Sequence, residues 1–416
     1  MLNISLVLHA NLQYAEIPIA QIPRVVKESY LPTLKGLLEI PKARIALNFT
    51  GVTLEILEEK YPEIIELIKR GIENEQFELL GFAYSQPILP LIQEIDTNLH
   101  IKRHLDLLDR LLGVKNPQGF FLPEAAWSPD LAPILKKFGF SWTMIDYDHL
   151  VLSQTAAGES VSIERRPIGF TERGMHFFTT SIFKQIASLP TLALKFRHDI
   201  SDPDFEPVII QGAGAEISAV LMKQVWTPLY FGASLAAPKA FRWLFGPTQF
   251  QKRLKKMAES EKVKGLVIPF GSDFEIIGFR GNIPASIPVE KFLDFVSWAT
   301  SEEDINLTTP TDYLRENPPK KKVYLRTGSW APDRSLKVWE QDPDDKKLNR
   351  LCDEARSYLI QAGDSKKAQK GWHHLLLAEN SDGRGWNPIP ERRLFCYEHA
   401  LKAIEIGKKL VNEKSS

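Results

Sequence analysis

The sequence predicts an α/β fold built on a parallel sheet, followed by a smaller helical unit. Three observations predict it. Short apolar runs, each stopping at a polar or aromatic tip, alternate with helical spacings over about the first 150 residues, and such alternation means parallel strands joined by right-handed crossovers. The composition then breaks at Asn317-Pro318-Pro319-Lys320-Lys321-Lys322, a linker-like stretch. Beyond it, three helical patterns at about 343–362, 366–379 and 388–412 run without a clear strand. The expected division is 1–316 for the α/β unit and 317–416 for the helical unit. Periodicity leaves open whether the sheet closes into a barrel.

The elements follow in order. Residues 2–9 form a first strand ending at His9, and 24–39 have helical spacing. Residues 43–49 alternate as strand two. Thr53 is placed to cap the next helix, which Pro62 splits. A short third strand, 77–80, leads into the loop Gly81-Phe82-Ala83-Tyr84-Ser85-Gln86-Pro87-Ile88-Leu89-Pro90. Residues 93–112 form an amphipathic helix bearing His100 and His104. That i, i+4 spacing suits zinc in principle, but no H-E-x-x-H pattern accompanies it, so the pair reads as a solvated helix face. A fourth strand, a helix over 129–139 and a fifth strand over 141–146 follow. Residues 160–166 and 176–181 read as a strand pair, 207–211 as a strand, and 212–245 carry no clear pattern. The glycines at 212 and 214 lack the remainder of a dinucleotide fingerprint. A basic-faced helix over 247–262, a strand ending at Asp273 and a helix over 289–299 close the first unit.

Composition bounds the function. The 416 residues carry 52 basic and 52 acidic side chains, a formal net charge of zero, which argues against bulk attraction to nucleic acid or to an anionic membrane. Two cysteines, Cys352 and Cys396, imply no disulfide framework and suit a reducing cytoplasm. The apolar start lacks a basic leader and reads as a strand rather than a signal peptide. No apolar run approaches a transmembrane length. Oligomeric state is not legible.

Two stretches carry candidate chemistry. Gly119-Phe120-Phe121-Leu122-Pro123-Glu124-Ala125-Ala126-Trp127 reads as a buried strand that Pro123 stops, holding Glu124 at the rim beside Trp127. The plain alternative is an acid opening a helix. Gly265-Leu266-Val267-Ile268-Pro269-Phe270 is a second apolar strand, ending in Gly271-Ser272-Asp273-Phe274-Glu275. The C-termini of parallel strands open on one face, so the two acids can converge there. Two converging acids can act as nucleophile and general acid/base at a glycosidic bond.

Taken together, these stretches resemble glycoside hydrolase family 57, whose α-amylase, 4-α-glucanotransferase and amylopullulanase members act mainly on α-glucans. By that resemblance Glu124 falls on the catalytic nucleophile. Asp273, in Asp273-Phe274-Glu275-Ile276-Ile277-Gly278, falls on the acid/base of a D-x-E-x-x-G segment. The loop 81–90 is similar to a motif with an aromatic before P-I-L. Ser329-Trp330 and Trp339 are similar to the S-W…W motif bordering the substrate groove, and Leu376-Leu377-Ala378-Glu379-Asn380-Ser381-Asp382 to an L-L-A-x-x-S-D segment. The stretch 196–202 has a counterpart as well. Two departures are visible. The first motif reads His9-Ala10-Asn11 where the family usually has His-Gln-Pro, with Gln13 matching a later Gln. After Asp382, Gly383-Arg384-Gly385 precedes Trp386 where bulky aromatics are usual.

The resemblance implies an incomplete, seven-stranded (β/α) barrel followed by a helical bundle that completes the groove, and retaining chemistry with no metal and no cofactor. The expected carboxyl separation is roughly 5–5.5 Å. His9, Arg197 and Glu275 are candidates for hydroxyl contacts or for orienting the acids. Trp127, Trp330, Trp339 and Trp386 are candidates for stacking on sugar rings, and Gln13 and Asp382 join the substrate-binding set. Two rivals stand beside this reading. One is a catalytically inactive glucan-binding homologue, favoured by the altered first motif. The other is a metal-dependent deacetylase using His9, Asp148 and His198.

Overall fold

The computed structural model describes residues 1–154, 204–223, 247–260, 263–279 and 287–415. Its core is parallel. β1 (Leu2–Ala10) lies between β2 (Ile45–Phe49) and β8 (Leu266–Asp273), with β3 (Phe77–Leu79) beyond β2 and β9 (Ile305–Leu307) on the start of β1. A second sheet runs β10 (Lys321–Tyr324), β6 (Val208–Gln211), β7 (Glu216–Met222), β5 (Trp142–Asp146), β4 (Gly119–Phe120). A parallel bridge from Gly81 to Phe120 links the end of the first sheet to β4. All five residues of β2 and of β5 are buried, as expected for strands covered on both faces.

Helices cover these strands: α1 (Leu31–Leu38), α2 (Gly51–Lys60), α3 (Pro62–Glu73), α4 (Glu94–Leu112), α5 (Leu131–Lys137), α6 (Tyr147–Gln154), α7 (Pro247–Glu259), α8 (Val289–Ser301) and α9 (Pro310–Glu316). Pro62 does divide α2 from α3, because its ring cannot continue the helix. The cap of α2 differs from expectation. Thr50, not Thr53, is the N-cap and accepts from the Thr53 N–H at 3.1 Å, while the Thr53 hydroxyl accepts from the Leu12 N–H.

Three further differences matter. The second sheet is mixed, since β6 and β7 form an antiparallel hairpin through the 212–214 turn. β7 falls in the stretch without a clear pattern; its apolar run sits between two neighbours and needs no alternation. The end of the stretch expected as linker, Lys321 and Lys322, instead opens an edge strand, 321–324, parallel to β6. The chain therefore returns to the α/β layer before the last helices, α10 (Pro343–Ala362), α11 (Lys366–Ala378) and α12 (Pro390–Ser415), pack on one another around Leu348, Cys352, Leu359, Leu375 and Cys396. Finally, His100 and His104 are fully buried, not solvated. The His104 Nε2–H donates to the Phe49 carbonyl at 2.9 Å and Nδ1 accepts from the Phe82 N–H. His100 donates to Glu379, which the Arg356 guanidinium also binds. That guanidinium reaches Asp96 on α4 as well, so one arginine ties α4 to the C-terminal helices.

Gly265 opens β8 with φ +89, and a Cβ there would lie 2.0 Å from the Phe205 carbonyl carbon. Only glycine fits that left-handed close approach. Among the described residues no helix is long and apolar enough to cross a membrane, and Cys352 and Cys396 are buried free thiols.

Candidate active site

The parallel register sets the floor of the site. His9 lies opposite Asn48 on β2 and opposite Asp273 on β8, all three at strand C-terminal ends. His9 is buried and stacks on Phe121, ring centroids 5.1 Å apart. Its Nε2 lies 2.7 Å from Gln86 Oε1 and its Nδ1 2.5 Å from Asn48 Oδ1. Burial lowers the His9 pKa, while the Asp273 charge and the two amides pull it upward.

Glu124 sits where β4 has ended, as Pro123 dictates, in the turn Pro123–Ala125. Its φ of +56 and the φ of +46 at Ala125 are left-handed for non-glycine residues. Such conformations are costly and persist where surrounding contacts over-determine them. Here the strand-like bonds between Trp127 and Gly328 hold the following residues against the 325–339 segment. That segment turns Trp330 back on the acid. Glu124 Oε2 accepts from the Trp330 indole N–H at 2.7 Å and from the Trp386 indole N–H at 3.0 Å. Oε1 faces the Gln86 amide N–H at 3.5 Å. Glu124 is 9% exposed. Donors to a carboxylate favour its ionised form, so the arrangement suits a nucleophile or charge stabiliser.

Two further acids meet at Asn11, beside Gln86. Glu275, two residues past Asp273, accepts from the Asn11 backbone N–H at 2.7 Å and from the Tyr30 hydroxyl. Burial, then the Asp273 charge, pushes its pKa up to about 8. Asp382, in the turn Ser381–Gly383, accepts from Asn11 Nδ2 at 2.5 Å and from the Ala15 N–H at 3.0 Å. Burial, then the Glu124 charge, pushes it up to about 8 as well. Both are thereby biased toward the protonated form, in which a carboxyl can donate as well as accept.

The structure thus gathers His9, Gln13, Glu124, Glu275, Trp330, Asp382 and Trp386, with Asp273 at the level of His9. Gln13 accepts from Asn380 Nδ2 at 3.2 Å. Two tryptophans read as stacking candidates offer no open face. Trp127 is fully buried and donates to the Leu325 carbonyl, and Trp339 is fully buried edge-on to Trp386. Their loops turn inward because both rings complete apolar clusters. Arg197, His198 and the stretch 196–202 lie outside the described residues. Asp148 binds Arg334 at 2.9 Å, and among the described residues no group of three His, Cys, Asp or Glu side chains is placed to hold a metal.

Sequence reasoning missed Asn11 and Tyr30, which bond Glu275 and Asp382, and Asn48, Gln86 and Asn380, which meet His9, Glu124 and Gln13. The available signal was polar residues standing in buried apolar surroundings, Asn48 within strand two above all.

Comparison with known proteins follows the same lines. Residues 6–178 match the family model of Glycosyl hydrolase family 57. An α-amylase 1 of Dictyoglomus thermophilum is 30% identical over 91% of this chain and 46% of its own length. A 4-alpha-glucanotransferase of Thermococcus kodakarensis is 21% identical over 91% of this chain and 54% of its own. The chain spans about half the length of these curated relatives. Among solved structures, a 4-alpha-glucanotransferase from Thermococcus litoralis superposes with a TM-score of 0.66 at 19% identity, over 97% of this chain and 60% of that one. A family 57 branching enzyme from Thermococcus kodakaraensis, solved with glucose, gives 0.65 at 15% identity over 98% and 88%. These superpositions bear on the fold, which is α/β with parallel strands.

Proposed function

The chain belongs to glycoside hydrolase family 57, and on that premise we propose that it cleaves or transfers glycosidic bonds of α-glucans by double displacement. In this reading the strands form an incomplete seven-stranded (β/α) barrel, the expected division at 316 moves past the edge strand at 321–324, and the helices from 343 onward supply the unit that closes the groove. The observation that carries the reading is the Glu124 carboxylate, fixed by indole N–H groups from Trp330 and Trp386, both C-terminal to residue 316.

In the first step an ionised Glu124 oxygen attacks the anomeric carbon. The bond from that carbon to the leaving oxygen breaks, and Asp273 gives that oxygen its proton. In the second step Asp273 takes a proton from water or from a sugar hydroxyl, whose oxygen attacks the same carbon and releases Glu124. Water gives hydrolysis and a sugar gives transfer. Glu124 follows β4 in the turn 123–125 and Asp273 ends β8, elements far apart in the chain, and both lie beyond or at the C-terminal ends of parallel strands, which supports their assignment to one reaction. Protonated Asp382 and Glu275 are assigned to sugar hydroxyls, together with His9 and Gln13. Trp330 and Trp386 are assigned to the groove wall.

The test is incubation with maltooligosaccharides, pullulan and glycogen, with products separated by size. Longer products indicate transfer and only shorter ones hydrolysis. Glu124→Gln and Asp273→Asn should each lower turnover at least about 10³-fold while the melting temperature holds. Equal activity in the wild type and both variants sinks the assignment, and a wild type that binds these glucans without turning them over favours the inactive binder.

A further inference from the structure

Gln86 lies in the loop between β3 and α4, 3% exposed, with φ +59. Its side-chain oxygen accepts from Asn11 Nδ2 at 2.9 Å and faces His9 Nε2 at 2.7 Å, its Nε2 faces Glu124 Oε1 at 3.5 Å, and its backbone carbonyl accepts from the Ser381 N–H at 3.0 Å. A side-chain amide can point either way, so what sets its direction matters.

Here the direction follows from a group that cannot turn round. The Gln13 backbone N–H donates at 3.0 Å to Asn11 Oδ1. That contact fixes the Asn11 amide, whose Nδ2 must then face Asp382 Oδ2 and Gln86 Oε1. Asn11 Nδ2 is thus a donor aimed at the Gln86 amide, and only the amide oxygen can receive it; His9 Nε2 faces that same oxygen at 2.7 Å. The Gln86 NH2 group is left turned to Glu124.

We propose that Gln86 is a positioning residue for Glu124, holding an N–H toward the carboxylate in a direction dictated by the Gln13 backbone through Asn11. The proposal rests on reading Glu124 as the nucleophile, and it adds a reason for the amide at position 86. A neutral donor there supports the ionised acid without adding a second negative charge beside it. A carboxylate at the same place would oppose that ionisation. Among the described residues, Asp382 from the 381–383 turn is coupled by charge to Glu124, and His9 from β1 reaches it through the shared Gln86 amide.

The Trp330 and Trp386 indole N–H groups bonded to Glu124 are built-in reporters. Their ¹H–¹⁵N signals, assigned through Trp→Phe variants, should follow a titration that Glu124→Gln removes. Its midpoint should rise in the order wild type, Gln86→Met, Gln86→Glu, by about one pH unit or more for the last. The acid limb of kcat/KM on a maltooligosaccharide should move in the same order, with KM little changed. Midpoints that coincide in all three proteins overturn the proposal. A purely structural role would lower the melting temperature and the amplitude of activity without moving the midpoint. Should Gln86→Glu fail to fold, Gln86→Met carries the comparison alone. A wild type without turnover would sink the proposed reaction and leave the indole titration readable.

Discussion

Replacing Trp330 with Phe removes the shorter of the two indole bonds to Glu124 Oε2, 2.7 Å against 3.0 Å for Trp386. A hydrogen bond to a charged group is worth about 1.5–3 kcal/mol. The carboxylate is 9% exposed, so water replaces little of the loss. One pH unit corresponds to about 1.36 kcal/mol, so the acid limb of kcat/KM should rise by about one to two units. Activity at mildly acidic pH would then fall about 10- to 100-fold while the rate at higher pH falls far less. The missing ring atoms cost about 1–3 kcal/mol of stability separately, and a melt at each pH isolates that part. Trp386→Phe should move the limb less, in keeping with its longer bond. The two effects should not add, because both bonds meet one oxygen. The assay is initial rate against pH on a chromogenic maltooligosaccharide. An acid limb that stays put in both variants would refute the claim that these indoles hold Glu124 ionised.

Two further outcomes follow from the buried groups. Asp96, Glu275 and Asp382 are pushed up to about 8, so the folded protein holds protons the unfolded chain releases; their stabilisation is complete below the ordinary carboxyl range and is lost as pH rises toward about 8. His100, His104 and His149 are lowered to about 3, 4 and 4, so their contribution is lost as pH falls below their ordinary value of 6.5. Unfolding free energy by denaturant titration should therefore peak near pH 6–7, and Asp382→Asn should flatten the alkaline side; stability that climbs from pH 7 to 9 would contradict this. Gly265→Ala should cost about 3 kcal/mol or more, since its Cβ would meet the Phe205 backbone at a positive φ; a change under about 1 kcal/mol in urea unfolding would show that β8 tolerates a shifted start.

The acids were legible because each stands where a local rule ends a strand. Pro123 stops one, and an apolar run gives way to Gly271-Ser272-Asp273 in the other. Their supporting groups were not legible in the same way. His100 and His104 sit on a helix whose spacing leaves their face open to either reading, and the Glu379 carboxylate that meets His100 comes from 279 positions away. β7 was missed because a strand covered by neighbours has no period to detect. Trp127 looked like a sugar platform beside its acid, yet its ring faces the core because Gly328 pairs with its backbone.

The sequence by itself determined the alternation of strands and helices, the break at Pro62, the strand ends that carry Glu124 and Asp273, and the three C-terminal helices. These depend on neighbours a few residues apart, through periodicity, proline geometry and capping. Tertiary structure alone decided which way the indoles of Trp330 and Trp386 point, which acids keep their protons, and which tryptophans are core. Asn11 meets Asp382 across 371 positions and Glu275 across 264, and no local pattern records such a meeting. Hydrogen-bond direction and burial are properties of groups brought together by the fold, so they exist only once the chain has closed on itself.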